Sequence, residues 1–504
     1  MQPSTPHRVA VLGAGIAGLA AAHYLRRSAG ASVAVTVFEA APKIGGKLCL
    51  GEVAGLTVDE GAESLLARRP EAIDLIKDVG LGDQIAYPVT TTASVWSRGR
   101  LHQLPTAQVM GVPADVSALA GTGLLSRGGL ARVPLDRVLP RTRVGADVPV
   151  GRYVAARLGR EVVDRLVEPL LGGVYAGRAD ELSFAATMPE LAAAARRHRS
   201  LLTAARRVRA AATAPAPSLG PVFAGLPGGV GRLPAAIAAG SGATVRTDTT
   251  VRELHRTPTG WRLLVDATKH AAAADREWVD ADAVVIALPA GPAARLLQTD
   301  VPAAAAELAG IDYASVAIVT LAYPRAAMPR LAGSGFLVPP VERRAAKAVT
   351  FSSAKWGWVA SAEPGTMLVR VSIGRYGEEQ DLQRDDGELS RLAAAELAEL
   401  VGIRIRPIDS LVSRWGGALP QYRVGHRQRV ARLHAAVAAE PRLAVCGAAY
   451  DGVGVAACVG SARDAAAGVL AGLASATDSG AHAAAATEPL DPRAAETEAM
   501  RSVG

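Results

Sequence analysis

The chain has 504 residues, half of them apolar, a fifth charged and 4% aromatic, with a formal net charge of +8. That length holds more than one domain and a full hydrophobic core, and the composition excludes a disordered or fibrous chain. Three cysteines (Cys49, Cys446, Cys458), none in a C-x-x-C pair, and nine scattered histidines speak against a disulfide framework and a structural metal site.

Met1 runs almost at once into an apolar strand, so the expectation is a cytoplasmic chain without a signal peptide. The longest uncharged stretch, 210–231, carries four prolines and cannot span a membrane as a helix. Positive charge suits an anionic partner. No nucleic-acid module accompanies it, so nucleic acid is not expected.

The apolar run Val9 to Leu12 stops at Gly13-Ala14-Gly15-Ile16-Ala17-Gly18. A helical pattern rich in Ala and Leu follows to about Ser28, and a β-branched run from Val33 to Phe38 ends in Glu39-Ala40. Strand, glycine turn, helix, strand and acid make the dinucleotide fingerprint in its proper setting. The helix N-terminus faces the pyrophosphate, and Glu39 accepts from ribose hydroxyls. Residues 41–48 (APKIGGKL) add a second close backbone approach, with Lys47 as a cation for phosphate. Leu56 to Ser64 reads as a strand breaking into the loop Gly61-Ala62-Glu63-Ser64, and a helix is expected from Pro70 to Val79.

These four segments (VAVLGAGIAGLAAA, VFEA, GGKL, DEGAES) resemble the amino-oxidase-type flavoprotein superfamily. The resemblance implies that they hold FAD rather than NAD, and that Ala62, Glu63 and Ser64 belong to the cofactor site.

From Trp96 the texture changes. Ser97 to Pro105 reads as a hairpin with a basic tip at Arg100, and helices rich in Arg, Ala and Leu follow. Val167 to Gly177 reads VEPLLGGVYAG, which resembles the EPLxxGVYAG stretch of protoporphyrinogen and coproporphyrinogen oxidases. Those enzymes continue with an acid; here Arg178 stands in its place. Gly173, Gly177, Arg178 and Arg100 are the candidate substrate residues. The six arginines between Leu191 and Arg209 suit either a solvated helix face or one lying on an anionic membrane.

A Pro/Gly connector runs from Pro215 to Pro227, a helix follows to near Gly240, and Ala243 to Val251 reads as a strand. The resemblance gives Val251 a backbone contact to the adenine. Trp261 to Val265 and Ala283 to Leu288 return strands to the nucleotide domain. Residues 295–410 read as strands with one long helix, Asp386 to Val401. Arg414 to Tyr422 (RWGGALPQY) resembles the W-x-x-A-L-P-x-Y segment of the same oxidases, and implies that Trp415 lies against the flavin. Arg442 to Gly447 is a strand, and a helix from Val455 to about Leu470 would aim its positive end at the flavin. Val453, Gly454 and Val455 are then backbone contacts. Family members often have an acid before the cysteine where this chain has Ala456-Ala457-Cys458.

The expected fold is α/β and α+β. A Rossmann-type FAD domain is assembled discontinuously from 1–90, 225–295 and 410–472. A helical lobe occupies 95–215, a mixed-sheet substrate domain 296–409 and a disordered tail 474–504. The resemblance implies FAD-dependent oxidation of a porphyrinogen, with coproporphyrinogen III favoured over protoporphyrinogen IX because it carries four carboxylates rather than two. Oxygen is the implied acceptor and hydrogen peroxide the by-product. Aromatisation drives that reaction, so no catalytic acid or base is named. A haem-pathway enzyme partner and contact with a membrane surface come with the family. Other readings stay open: an amine or carotenoid oxidase, an NAD-dependent dehydrogenase, or a binding protein on the same fold.

Overall fold

The computed structural model describes residues 5–213, 221–268 and 276–485. The chain opens with β1 (His7–Leu12), α1 (Ile16–Ala29) and β2 (Val33–Phe38). A hairpin of β3 (Ala93–Ser97) and β4 (Arg100–Gln103) leads into a run of helices that includes α2 (Glu168–Tyr175). Helix α3 (Leu233–Ser241) brings the chain to β5 (Thr244–Arg246). Antiparallel β6 (Thr249–Arg256), β7 (Trp261–Ala267) and β8 (Glu277–Ala281) follow, and then β9 (Ala283–Ile286). Next come β10 (Tyr313–Pro324), β11 (Gly335–Leu337), β12 (Ala346–Phe351) and β13 (Thr366–Ile373). Helix α4 (Asp386–Val401), β14 (Asp409–Pro420), β15 (Leu443–Val445) and α5 (Val455–Ala485) complete the order.

Strands β5-β2-β1-β9-β15 form one parallel sheet. Its inner strands are near-continuous apolar runs, because a parallel sheet is covered on both faces. Alanines on α1 and α5 (Ala17, Ala20, Ala21; Ala462, Ala466) are buried together beneath one face. Leu12, Ile286 and Trp261 are buried on the other. Strand order reverses between β1 and β9, and the crevice outside the carboxyl ends of such strands is where a doubly wound fold binds ligand.

A second, seven-stranded sheet has the order β14-β10-β13-β12-β11-β3-β4. Val319, Leu321, Phe351, Val369 and Val371 bury one face against Leu389, Ala393 and Leu397 of α4. That helix starts at a capping box, Asp385 with Glu388, and stops at left-handed Gly402, so its ends match the sequence reading. The opposite face carries Arg370, paired across the strands with Thr320 and Thr350, and turns toward the nucleotide sheet.

Four expectations are corrected. Strands β3 and β14 belong to the seven-stranded sheet, so borders at 95 and 410 cut through it. The basic helix at 191–209 is two helices, Pro189–Arg197 and Leu201–Thr213. Ser200 breaks them, accepting from Thr203 N at 3.1 Å and donating to Asp136 Oδ2 at 2.6 Å. Arg196 and Arg199 donate to carbonyls of Gly145, Ala146 and Arg137, so part of the basic face holds the lobe together. The strand at 243–251 is split at Asp248 (φ 50°). Finally, α5 runs on to Ala485, so 474–485 is helical rather than disordered. Connector residues 214–220 and tail residues 486–504 lie outside the described residues. No described helix is long and apolar enough to cross a membrane.

Candidate functional site

The turn Gly13-Ala14-Gly15 carries β1 into α1. Gly13 has φ +100°, and a Cβ placed there would lie 2.9 Å from Ala287 O. A Cβ on Gly18 would lie 1.8 Å from Gly13 O, so backbone closes both positions to larger residues. Gly15 differs: its Cβ would meet nothing within 4 Å. Open space therefore faces the start of α1, which has no side-chain cap and no acid in its first turn. The N–H groups of Ala17 and Gly18 are left for a ligand. The start of α5 matches, since Gly454 is exposed and a Cβ on it would also meet nothing within 4 Å. A Cβ on Gly447, at the end of β15, would lie 3.7 Å from that of Ala17. The end of β15 therefore meets the first turn of α1.

Glu39 closes β2. Its carboxylate accepts from Ala14 N at 2.7 Å and Ala41 N at 2.8 Å, leaving lone pairs for ribose hydroxyls. Ala40 is exposed beside it. Glu39 O accepts from Thr249 N at 2.8 Å, which brings the start of β6 to this end of the cradle. Val251 lies two residues on, at a bulge in that edge strand. The return loop is fastened by Gly45 N, which donates to Ala14 O at 2.8 Å. Lys47 has no side-chain partner among the described residues, and burial holds its pKa below the ordinary lysine value, with the Cys458 thiol opposing. An unpaired ammonium beside two helix N-termini fits a pyrophosphate.

The loop Gly61-Ala62-Glu63-Ser64 is anchored from the seven-stranded sheet and from the turn before α3. Asp59 accepts from Val230 N and Gly231 N at 3.1 and 2.8 Å, and burial pushes its pKa up to about 6. Trp415 Nε1 donates to Glu60 O at 3.1 Å. Its ring would touch a Cβ on Gly61 at 3.4 Å, so the tryptophan covers this loop. Glu63 is not free for a ligand. Its carboxylate accepts from Lys355 Nζ at 2.6 Å, Arg370 Nη1 at 2.7 Å and Ser352 Oγ at 3.1 Å. Burial raises its pKa, but the two cations outweigh that and hold it at about 2.

The two oxidase-like segments touch directly. Gln421 Nε2 donates to Tyr175 O at 2.8 Å, and the rings of Tyr175 and Tyr422 lie 5.4 Å apart. Tyr422 then holds the loop before α5: its hydroxyl donates to Ala448 O at 2.7 Å and accepts from Gly452 N at 2.8 Å. His426 stacks on it at 3.9 Å, with Nε2 2.9 Å from Tyr450 O. Val453 packs into the helical-lobe core that holds Tyr175 and Tyr422, and Val455 is partly buried at the start of α5.

The substrate candidates separate. Gly173 is exposed on α2, and a Cβ there would lie 3.5 Å from Leu337. Gly177 is buried, where a Cβ would lie 2.2 Å from Gln421 Oε1; it serves close packing rather than a ligand. Arg178 is exposed and pairs with Glu378 at 3.4 Å. Arg100 stands on β4, the edge strand opposite β14. Six strand spacings of about 4.8 Å put it about 29 Å from the strand of Trp415. Arg100 is thus remote from Trp415, with its guanidinium 3.1 Å from a Cβ placed on Gly123, and lies two strands from β11, on which Gly173 packs. Sequence reading passed over Arg370 and Lys355, though an arginine alone in the apolar run MLVRVSI was a signal.

A family model described as flavin containing amine oxidoreductase matches residues 16–470. The coproporphyrinogen III oxidase of Mycobacterium tuberculosis is 39% identical over 93% of this chain and 98% of its own. That of Bacillus subtilis is 31% identical over 90% and 95%. A crystal structure from Exiguobacterium sp. 255-15 is 30% identical, covers 91% of this chain and 98% of its own, and superposes with a TM-score of 0.79.

Proposed function

The chain belongs to the flavin containing amine oxidoreductase family, and from that premise we propose that it oxidises coproporphyrinogen III to coproporphyrin III. It is an FAD-dependent oxidoreductase. When bound, FAD supplies the two-electron acceptor. The macrocycle loses six electrons and six protons in three rounds. Oxygen, as final acceptor, leaves as three molecules of hydrogen peroxide.

The chain's own groups bind, orient and exclude water. The N-termini of α1 and α5, with Lys47, take the pyrophosphate charge, and Glu39 takes the ribose. The Gly61 to Ser64 loop is held rigid by Glu63, and Trp415 shields it from solvent. Tyr422 fixes the approach to α5. The aromaticity reached in the last round drives the overall oxidation, so positioning is the main demand on the protein.

The observation that carries the reading is the bond between Gln421 and Tyr175. It joins the two segments that resemble porphyrinogen oxidases into one body against the flavin cradle. A net charge of +8 favours the substrate with four carboxylates over the one with two. We assign the reaction to the cytoplasm, where three thiols outside any disulfide stay reduced.

The test is anaerobic mixing of the holoenzyme with coproporphyrinogen III and, separately, protoporphyrinogen IX, followed by admission of air. Fast flavin bleaching and then porphyrin fluorescence with the first substrate, slower with the second, is the expected result. Yellow protein that neither substrate bleaches would overturn the reading.

A further inference from the structure

Lys347 is buried with nothing to bond. It is 7% exposed, and among the described residues its ammonium makes no hydrogen bond or ion pair, although Nζ is not sealed from solvent. Burial, and after it the like charge of Arg375, pull its pKa down to about 7. A buried cation without a counter-charge is costly to keep.

Its place on the backbone is equally unusual. Ala346 pairs with Ile373 and Ala348 with Ser372, so Lys347 is the extra residue of a bulge in β12. Bulges re-aim side chains and concentrate beside active sites. Lys347 O accepts from Val338 N at 2.9 Å, which ties the bulge to the end of β11. Helix α2 packs on both β11 and β12, and Leu337 of β11 is the residue nearest the exposed Gly173 position. Arg375 donates to Val338 O and Ala346 O on either side of the bulge. Arg375 also lines a half-open cavity of about 320 Å³ whose wall mixes Arg160 and Arg178 with the carboxylates of Asp164, Glu168, Asp180, Glu181 and Glu378; Lys347 sits behind Arg375 and is not part of that wall. The unpaired ammonium therefore stands at the corner where α2 meets the substrate sheet.

We propose that Lys347 anchors one carboxylate of the substrate, a carboxyl-bearing tetrapyrrole lying against the Gly173 surface of α2. This rests on the porphyrinogen reading above. A substrate carboxylate supplies the counter-charge that the protein withholds, and a neutral or cationic substrate does not.

The test uses the oxidised holoenzyme and its Lys347→Met variant, which keeps the length of the stem and removes the charge. Binding of coproporphyrin III and of its tetramethyl ester is followed by fluorescence quenching, and KM and kcat are measured with coproporphyrinogen III. The expected result is a loss of about 10- to 100-fold in affinity for the free acid, the range of one charge-assisted pair. The ester should bind parent and variant alike, KM should rise with kcat largely kept, and Lys347→Arg should recover part of the loss. Equal binding of the free acid by parent and Met variant would overturn the assignment of Lys347. A parent enzyme that neither binds coproporphyrin III nor oxidises its reduced form would instead overturn the porphyrinogen reading. Should the Met variant lose its flavin, Lys347→Gln carries the same comparison, with the same two results deciding it.

Discussion

Arg370 Nη1 donates to Glu63 Oε2 at 2.7 Å, a bond across 307 residues of chain. The same guanidinium donates through Nη2 to Gly61 O at 2.6 Å, and Lys355 takes the other oxygen of Glu63. An inner strand of the seven-stranded sheet thus grips the loop proposed to border the cofactor. Position on one side is transmitted to the other through a buried, charged contact.

Replacing Arg370 by Met should therefore affect flavin retention as well as stability. Glu63 would stay buried with one cation removed, and breaking such a pair costs about 3–5 kcal/mol. Thermal unfolding should move down, and FAD affinity, measured by reconstituting apoprotein, should fall at least about tenfold. Arg370→Lys should recover part of both. Unchanged FAD affinity in the Met variant would show that the loop is held without Arg370.

Acid should separate two carboxyls of this region. Glu63 is held at about 2, below its unfolded value. Its contribution to stability is therefore present above about pH 4.5 and lost as pH falls toward 2. Asp59 is pushed up to about 6 by burial, so the sign reverses. Its contribution is greatest below its unfolded value and is lost as pH rises through 6. Urea unfolding as a function of pH should show Glu63→Gln flattening the limb below pH 4.5, and Asp59→Asn flattening the change between about 4 and 6.

Two glycine substitutions should fail in different ways. Gly18→Ala drives a methyl into Gly13 O at 1.8 Å, so the turn itself must move and the protein should lose several kcal/mol or fail to fold. Gly15→Ala meets no protein atom within 4 Å and has φ −70°, which alanine adopts freely. That variant should fold with near-parental circular dichroism and melting, yet lose flavin, because its methyl occupies the space left for the pyrophosphate. A yellow Gly15→Ala protein of parental affinity would place the phosphates elsewhere.

Tyr422→Phe removes one hydroxyl that serves Ala448 O and Gly452 N together. Leaving such groups without partners costs about 1–3 kcal/mol, spent on the loop before α5. FAD should dissociate faster, read as fluorescence released on dilution, and melting should drop modestly. Tyr175→Phe removes a hydroxyl that has no hydrogen-bond partner among the described residues and should leave the dissociation rate near the parental value.

The Val9 to Glu39 unit was readable from the chain alone because its constraints are local. A positive φ at Gly13, the contact of Gly18 with Gly13 O and the acid closing the next strand all act within a few dozen residues. The capped helix at 386–401 was readable for the same reason. The segments at 167–177 and 414–422 stood out by their residue order, but not their union through Gln421 and Tyr175. Strand partners were the main loss. Nothing near Ser97 or Trp415 says that β3 and β14 share a sheet, because pairing is decided by residues far along the chain. Only the strand order shows that Arg100 stands on the sheet edge opposite the strand of Trp415.

Sequence by itself determined the strand, glycine turn and helix of the dinucleotide fingerprint, which rest on local backbone geometry, and the flavin class and kind of chemistry followed from the resemblance of its short motifs to known oxidases. Tertiary structure decided which charges are free. Glu63 proved to be committed to Arg370 and Lys355, whereas Lys347 has no partner among the described residues. Whether a buried charge is paired depends on what the fold brings within about 4 Å of it, and that distance is set by packing between elements, not by neighbours in sequence.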